Sequence, residues 1–328
     1  MSDIGFAVVG LGMGYARAKT VKQTPGANLA WVIDLNPERA EKVGAELECR
    51  WSTDIKKALK DPKVDVVLVM TPSGLHLPTA LKAIQAGKHT ITTKPMEVTL
   101  KKCDRMIAAA DKAGVLLGVD FEARYHDTNQ KIKYALENNL FGKVILCEAR
   151  LKWYRSQEYY DKGGWRGTWK MDGGGALANQ TIHQIDLLRW FMGKPKRVIG
   201  LTGIFNHKIE TEDLGQALIE FESGARGGIL GTTTFPGSPY AGMEIHGTEG
   251  GVLATRETPE WYFLEGCTDR KDKLDRKAPW KNVIENVVAA VADKAPLLCD
   301  GRDGRTAIEL LDAVYRSGRK SGRAIEFK

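Results

Sequence analysis

The segment ALANQTIHQIDLLRWFMG (176–193) has helix-forming composition and carries Asn179, His183 and Asp186 among apolar residues. Asn179 and His183 stand four apart and share a helical face, with Asp186 one turn further on. Ala178, Ile182, Ile185, Leu188 and Met192 supply an apolar face beside them. Polar groups on such a stripe need partners or a cavity. Histidine has an unperturbed pKa of about 6.5, so His183 suits general-base chemistry near neutrality. A lone histidine on this helix would read as a satisfied core residue. Asn179 beside it and the run Gly173-Gly174-Gly175 before it tilt the reading toward a site. Asp186 has two readings, a partner that holds His183 and a helix-surface acid. A second candidate is Lys94 in KHTITTKPM (88–96), which follows a β-prone run and is pinned by Pro95, with a cis bond as one way to fix the turn. It is either a charge aimed into a crevice or a solvated lysine before a helix.

The elements that position these groups fall into two textures. The first third alternates apolar strands with helical segments: GFAVVG (5–10), ARAKTVKQT (16–24), ANLAWVID (27–34), PERAEKVGAEL (37–47), DIKKALKD (54–61), VDVVLVM (64–70), LPTALKAIQAG (77–87), HTITT (89–93), LKKCDRMIAAADKAG (100–114) and VLLGVD (115–120). This pattern predicts a doubly wound parallel sheet covered on both faces, a Rossmann domain over residues 1–121. VVGLGMGY (8–15) follows the first strand and opens a helix. Gly10 allows the tight turn, Gly12 lets backbone approach a pyrophosphate, and Met13 adjoins them. The third glycine of the usual fingerprint is Tyr15 here, with Gly14 one place early. Asp34 ends the second strand, where a carboxylate accepts from ribose hydroxyls and repels a 2′-phosphate. NAD is therefore expected over NADP, with Arg39 nearby as the residue that would soften the preference. TPSGLH (71–76) caps a strand on the rim where this fold binds ligands, so Thr71, Pro72 and His76 are expected to line the dinucleotide groove. For His76 the alternative is a polar residue at a helix N-terminus. Lys94 lies on the same rim and points toward the nicotinamide end.

Residues 122–328 read as an α+β domain. Helix TNQKIKYALENNLFG (128–142) and strand KVILCEARLKWYR (143–155) precede an aromatic and glycine-rich loop (156–175) and the 176–193 helix. Strands then dominate: RVIGLTGIF, GQALIEF, ARGGILGTTTF, MEIHG, GVLAT and EWYFLE, with FESGAR (221–226) as a hairpin turn. This predicts one large, open, mainly antiparallel sheet with helices on one face, and a homo-oligomer, dimer or tetramer, through the other. The last helix, 304–318, is a candidate to pack on the first domain.

A chain of 328 residues suits two domains, and 43% hydrophobic with 27% charged residues is ordinary globular composition. No apolar run is long enough to span a bilayer, and MSDIGFAVVGLG lacks a signal-peptide pattern, so a cytoplasmic protein with no membrane partner is expected. The five cysteines have no metal-ligand spacing, so no metal site is expected and a reducing compartment fits. The +7 charge is mostly interleaved and comes with no recognition motif, so a nucleic-acid partner is not expected.

Several stretches taken together resemble the glucose–fructose oxidoreductase / inositol dehydrogenase / MocA (Gfo/Idh/MocA) family over nearly the full length. They are VVGLGMG, TPSGLH, AGKH with TKP, DGGGALANQTIHQIDLLRWFMG, ETEDLGQALIEFESGARG and IHGTEG. The resemblance implies a Rossmann domain plus an open-sheet domain that often oligomerises. It matches Lys94 to the family's Glu-Lys-Pro lysine and His183 to the histidine of its Asp-x-x-x-His pattern. Two residues depart from the pattern: Thr93 replaces the glutamate, and Asn179 the aspartate. Asparagine does not take a proton at neutral pH. Some sugar-nucleotide dehydrogenases of the family resemble this asparagine form.

The activity so implied is an NAD-dependent oxidation of a secondary hydroxyl in a sugar, sugar acid, nucleotide sugar or cyclitol. His183 acts as base, Lys94 stabilises developing alkoxide, and Asn179 orients substrate or the nicotinamide ribose. The expected cofactor set is Gly10, Gly12, Met13, Asp34, Thr71, Pro72, His76, Lys94, Trp165 and Arg166. The expected substrate set is Arg124, Tyr125, Tyr154, Arg155, Trp165 and Asn179. Tyr159, Tyr160 and Trp169 offer further flat faces for a pyranose, and Arg166 and Lys170 further charges for a carboxylate or phosphate. Two rival readings remain: an enzyme that keeps NAD bound and uses transient oxidation for elimination, epimerisation or glycoside cleavage, and a non-catalytic NAD sensor.

Overall fold

The computed structural model describes residues 3–255, 258–275 and 278–327, which form two compact units. The first runs to Glu122 and takes in Trp280–Arg305; the second holds Ala123–Pro279 and resumes at Thr306.

In the first unit, strands β1 (Ile4–Val9), β2 (Ala27–Ile33), β3 (Arg50–Ser52), β4 (Val66–Val69), β5 (His89–Thr93) and β6 (Leu117–Asp120) form a six-stranded sheet in the order β3-β2-β1-β4-β5-β6. Every neighbouring pair is parallel. Helices α1 (Gly14–Gln23), α2 (Pro37–Glu46), α3 (Ile55–Leu59), α4 (His76–Gln85) and α5 (Leu100–Ala113) make the crossovers. Sequence signals set their ends. Asn36 caps α2 through Arg39 N with Pro37 in the first turn, Thr99 caps α5 through Lys102 N, and Gly114 closes α5 at φ +66°. Strand order reverses between β1 and β4, so the strand ends there open a crevice, the place where this fold holds ligands. The short strand β3 was not expected, because three residues carry too little periodicity to show.

In the second unit, β7 (Val144–Lys152), β8 (Pro195–Gly203), β9 (Leu214–Phe221), β10 (Arg226–Thr232), β11 (Tyr240–Gly247), β12 (Gly250–Thr255), β13 (Pro259–Phe263) and β14 (Ile325–Glu326) form one open sheet. Its order is β13-β12-β11-β7-β10-β9-β8-β14, antiparallel except for the β10–β7 pair. Helices α6 (Asp127–Glu137), α7 (Gln157–Asp161) and α8 (Ile182–Met192) belong here too. One sheet face buries Cys147, Ala149, Ala217, Ile219, Ile229 and Ile245. On the other, Ile199 pairs across the strands with Leu218, and these two together with Leu201 are 41, 70 and 57% exposed. The first unit also holds α9 (Val283–Ala292), and α10 (Gly301–Gly318) begins in the first unit and ends in the second.

One element differs from the expected continuous helix over 176–193. Residues Ala176–Thr181 form a wide π turn, and the α-helix begins only at Ile182. Its first amides bond outside the segment. The buried Glu212 carboxylate accepts from Gly175 N at 3.0 Å and Leu177 N at 2.8 Å, and Ala176 N donates to the Glu212 carbonyl at 2.9 Å. The first amides of the turn are thus held by an acid from another strand connection. Asn179 therefore stands in the wide turn and His183 in the regular helix.

Candidate active site

In the first unit, the glycine loop is built for close approach. Gly10 has φ +92°, and a Cβ there would lie 2.8 Å from the Met70 carbonyl oxygen. Gly12 differs: a Cβ there would meet nothing within 4 Å. The turn feeds α1, whose N-terminus has no side-chain cap, so its leading amides suit a pyrophosphate. Met13 is 77% exposed beside it. Asp34, at the end of β2, is buried; its Oδ2 accepts from Leu11 N at 2.7 Å and its Oδ1 from Asn36 N at 2.9 Å. It thereby ties the glycine loop to the strand end, with Arg39 NH1 at 3.4 Å. These features fit a dinucleotide: an uncapped helix end, an open space above Gly12, and a carboxylate at the end of β2.

Thr71, Pro72 and Lys94 are half-buried on the same rim, and the Lys94–Pro95 peptide is cis. His76 does not line the groove. Its ring is fully buried, with Nδ1 2.9 Å from the Pro95 carbonyl and Nε2 2.8 Å from the Thr71 carbonyl. It therefore stands behind the rim and pins the Thr71 and Pro95 turns together. Burial holds its pKa below the usual histidine range, while the carbonyls pull the other way. Two acids escaped the sequence reading. Glu97 is fully buried and accepts from Leu77 N and Val98 N. Asp120, opposite Thr93 in the β5–β6 register, is buried and paired with Arg17, whose NH2 lies 3.0 Å from Oδ1. Burial raises the pKa of Asp120, and the charges of Arg17 and Lys94 draw it back down. An aspartate at the end of the sixth strand, on the ligand rim, was the available signal.

In the second unit, Arg124 is a correction. It is 1% exposed, and its guanidinium forms a two-point pair with Asp186, Nε–Oδ2 2.8 Å and NH2–Oδ1 2.7 Å. It is a structural cation. Asp186 is likewise fully buried, so it is no helix-surface acid. Tyr125 is buried as well, and Tyr160 is buried with its hydroxyl 2.8 Å from Thr233 Oγ1, so Tyr160 offers no face to a sugar. The remaining aromatic and basic residues form a ladder. Arg155 stacks on Trp153 and Tyr159, each 4.9 Å away, and Arg166 stacks on Tyr159 at 4.6 Å and Trp165 at 4.8 Å. Two guanidiniums thus flank one tyrosine, and the Nε atoms of both are buried without a hydrogen-bond partner among the described residues. Tyr154 and Trp169 are 51 and 42% exposed, and Lys170 is exposed.

Asn179 and His183 are half-buried. Asn179 Nδ2 donates to Asp172 Oδ1 at 2.5 Å, and Asn179 Oδ1 accepts from Gln180 Nε2 at 2.8 Å. Asp172 was missed, although its place just before the Gly173-Gly174-Gly175 run was a signal. Glu212 was missed too. Beyond its two backbone donors it accepts from Tyr315 Oη at 2.9 Å, and burial lifts its pKa to about 7. No group of three or more metal-ligating side chains occurs among the described residues, and none of their helices is long and apolar enough to cross a membrane.

Residues 4–121 match a family model described as "Oxidoreductase family, NAD-binding Rossmann fold", and residues 129–253 match the GFO/IDH/MocA C-terminal domain. The chain is 32% identical over 255 residues to the scyllo-inositol 2-dehydrogenase (NAD(+)) of Bacillus subtilis, covering 75% of this chain and 72% of that one. It is 26% identical to the myo-inositol 2-dehydrogenase of Thermotoga maritima, covering 94% of this chain and 95% of that one. The WlbA dehydrogenase of Bordetella pertussis, solved with NADH and UDP-GlcNAcA, superposes with a TM-score of 0.91 at 32% identity, covering 100% of this chain and 98% of that one.

Proposed function

Since this chain belongs to the GFO/IDH/MocA family of NAD-binding oxidoreductases, we propose that it oxidises a secondary hydroxyl of a pyranose bearing an anionic group, a sugar acid or nucleotide sugar, with NAD preferred over NADP. The observation that carries the substrate class is the ladder Trp153–Arg155–Tyr159–Arg166–Trp165. Aromatic rings lie against both guanidiniums; Arg155 NH2 donates to Gln180 Oε1 and Arg166 NH1 to the Lys162 carbonyl, and the other terminal nitrogen of each is a donor suited to a carboxylate or phosphate. A neutral cyclitol would leave those charges unmatched. The WlbA relative, solved with a nucleotide sugar acid, supports the same class.

Gly10, Gly12 and the start of α1 hold the dinucleotide, and Asp34 accepts from its ribose. The bound nicotinamide supplies the hydride acceptor. His183 takes the hydroxyl proton, Lys94 stabilises the alkoxide charge as it develops, and Asn179 orients the sugar. The exposed apolar residues Ile199, Leu201 and Leu218 on the open sheet face favour a homo-oligomer through that sheet.

The test is nicotinamide reduction by the purified protein with NAD or NADP, across nucleotide-sugar acids, free uronic acids, neutral pyranosides and inositols. Turnover is expected with anionic sugars and NAD. Turnover confined to neutral sugars or inositols would overturn the substrate class. Silence throughout, with tight NADH binding, would overturn the dehydrogenase reading.

A further inference from the structure

Asp172 is 1% exposed and uses both carboxylate oxygens. Oδ1 accepts from Asn179 Nδ2 at 2.5 Å, and Oδ2 accepts from Gly167 N at 2.9 Å. A carboxylate only accepts, so the amide nitrogen of Asn179 must face it and Oδ1 must face away. On that side Gln180 Nε2 donates to Asn179 Oδ1 at 2.8 Å and to Tyr159 Oη at 2.8 Å. Gln180 Oε1 in turn accepts from Arg155 NH2 at 2.9 Å. The bonds run in one direction, from the Arg155 cation through Gln180 and Asn179 to the Asp172 anion. Each amide is oriented by the charge at its end of the chain, and neither can flip without setting donor against donor.

We infer that Asp172 is the acidic positioning residue of this site, setting through Asn179 which edge of that amide donates and which accepts, and linking that choice through Gln180 to Arg155. The inference rests on the proposed roles of Asn179 and Arg155 toward substrate. It also accounts for an amide at position 179: the negative charge already stands at 172, and a second carboxylate at 2.5 Å would repel it. A mere loop staple would use only the Gly167 bond and would be indifferent to what stands at 179.

The discriminating experiment is a reciprocal exchange. In Asp172→Asn, the new amide cannot accept from both Gly167 N and Asn179 Nδ2 in the native geometry. In Asn179→Asp, two carboxylates face each other. In the double variant Asp172→Asn/Asn179→Asp, every bond returns with the charge moved one place: the new amide donates to the new carboxylate, and Gly167 N and Gln180 Nε2 keep acceptors. Thermal melting without substrate, NADH affinity and steady-state turnover are read for all four proteins. Each single variant is expected to melt several degrees lower. Each is also expected to lose roughly 10- to 100-fold in kcat, the range of one bond to a charged group. NADH affinity should stay within about twofold. The double variant is expected to recover the melting temperature and part of kcat. Wild-type kcat in Asp172→Asn, or a double variant as unstable as both singles combined, would overturn the inference. If wild type turns over no sugar, the proposed function fails, while the melting exchange still decides the Asp172–Asn179 pairing. If Asp172→Asn fails to fold, native-like melting of the double variant supports the pairing and its absence overturns it.

Discussion

The glycine loop of the first unit and the loop–helix segment of the second hold their functional groups by different means. At Gly10 and Gly12 the proposed cofactor site is backbone itself: a left-handed φ, an open space above the turn, and uncapped helix amides. At Asn179 and Arg155 the proposed function is side chain, and each group is fixed by another side chain, Asp172 or Gln180, or by an adjacent ring. Buried acids serve both regions. Asp34 ties the glycine loop down through Leu11 N, and Glu212 holds the first amides of the turn before α8. A backbone site tolerates side-chain changes around it but no added Cβ, whereas a networked site is sensitive to single charges.

The largest expected effect breaks the chemistry in the second unit and leaves cofactor binding in the first. His183→Ala is expected to lower kcat by about 10²- to 10⁴-fold, the range of a positioned general base. NADH affinity, measured by tryptophan quenching, should stay nearly unchanged. Normal turnover in that variant would remove His183 from the mechanism. A parallel collapse of NADH binding would show that the two regions do not divide the work.

The same contrast explains what could be read from sequence. Periodicity and turn residues are local, so the parallel sheet and its glycine loop were legible, and with them the strand ends that carry Asp34 and Lys94. So was the open sheet, through its alternating strands. Partners distant in sequence were not. Arg124 was expected among the substrate residues, yet the carboxylate that holds it stands 62 residues away at Asp186. The wide turn at Ala176–Thr181 was not legible either, and the acid that holds its first amides, Glu212, lies 35 residues beyond Leu177. His76 was assigned to the groove from its place on the rim, but rim position does not reveal the direction of a ring, and burial turns it inward. Asp172 was passed over because, without Asn179 seen against it, it reads as one more polar loop residue.

The middle-sized effect concerns Glu212 and sharpens the view that buried acids shape the second unit. Burial raises its pKa from 4.5 to about 7, so the folded protein binds a proton that the unfolded chain has released between those values. Its contribution is therefore fully present below about pH 4.5 and lost as pH rises through about 7, on the order of 3 kcal/mol in all. Wild type should lose melting temperature between pH 5 and 8, and Glu212→Gln should show a shallower loss over the same range. Parallel curves for the two proteins would mean that Glu212 is already a carboxylate at pH 5, with its three donors outweighing burial.

The smallest expected effect is the finest test of the backbone site, because it separates two glycines two residues apart. Gly10→Ala places a Cβ 2.8 Å from the Met70 carbonyl oxygen at φ +92°, so it should destabilise the fold by at least the 1–2 kcal/mol or so of a left-handed non-glycine residue. Gly12→Ala meets nothing within 4 Å and should melt like wild type. Yet the space above Gly12 is where the proposed site brings a pyrophosphate to the backbone, so this silent substitution should weaken NADH binding by about tenfold. Melting and NADH titration of both variants check the pair. If Gly12→Ala binds NADH as wild type does, the open space above the loop is not the pyrophosphate's. The first unit would then hold its cofactor by side chains such as Asp34, and the distinction between a backbone-made and a side-chain-made site would fail at its clearest point.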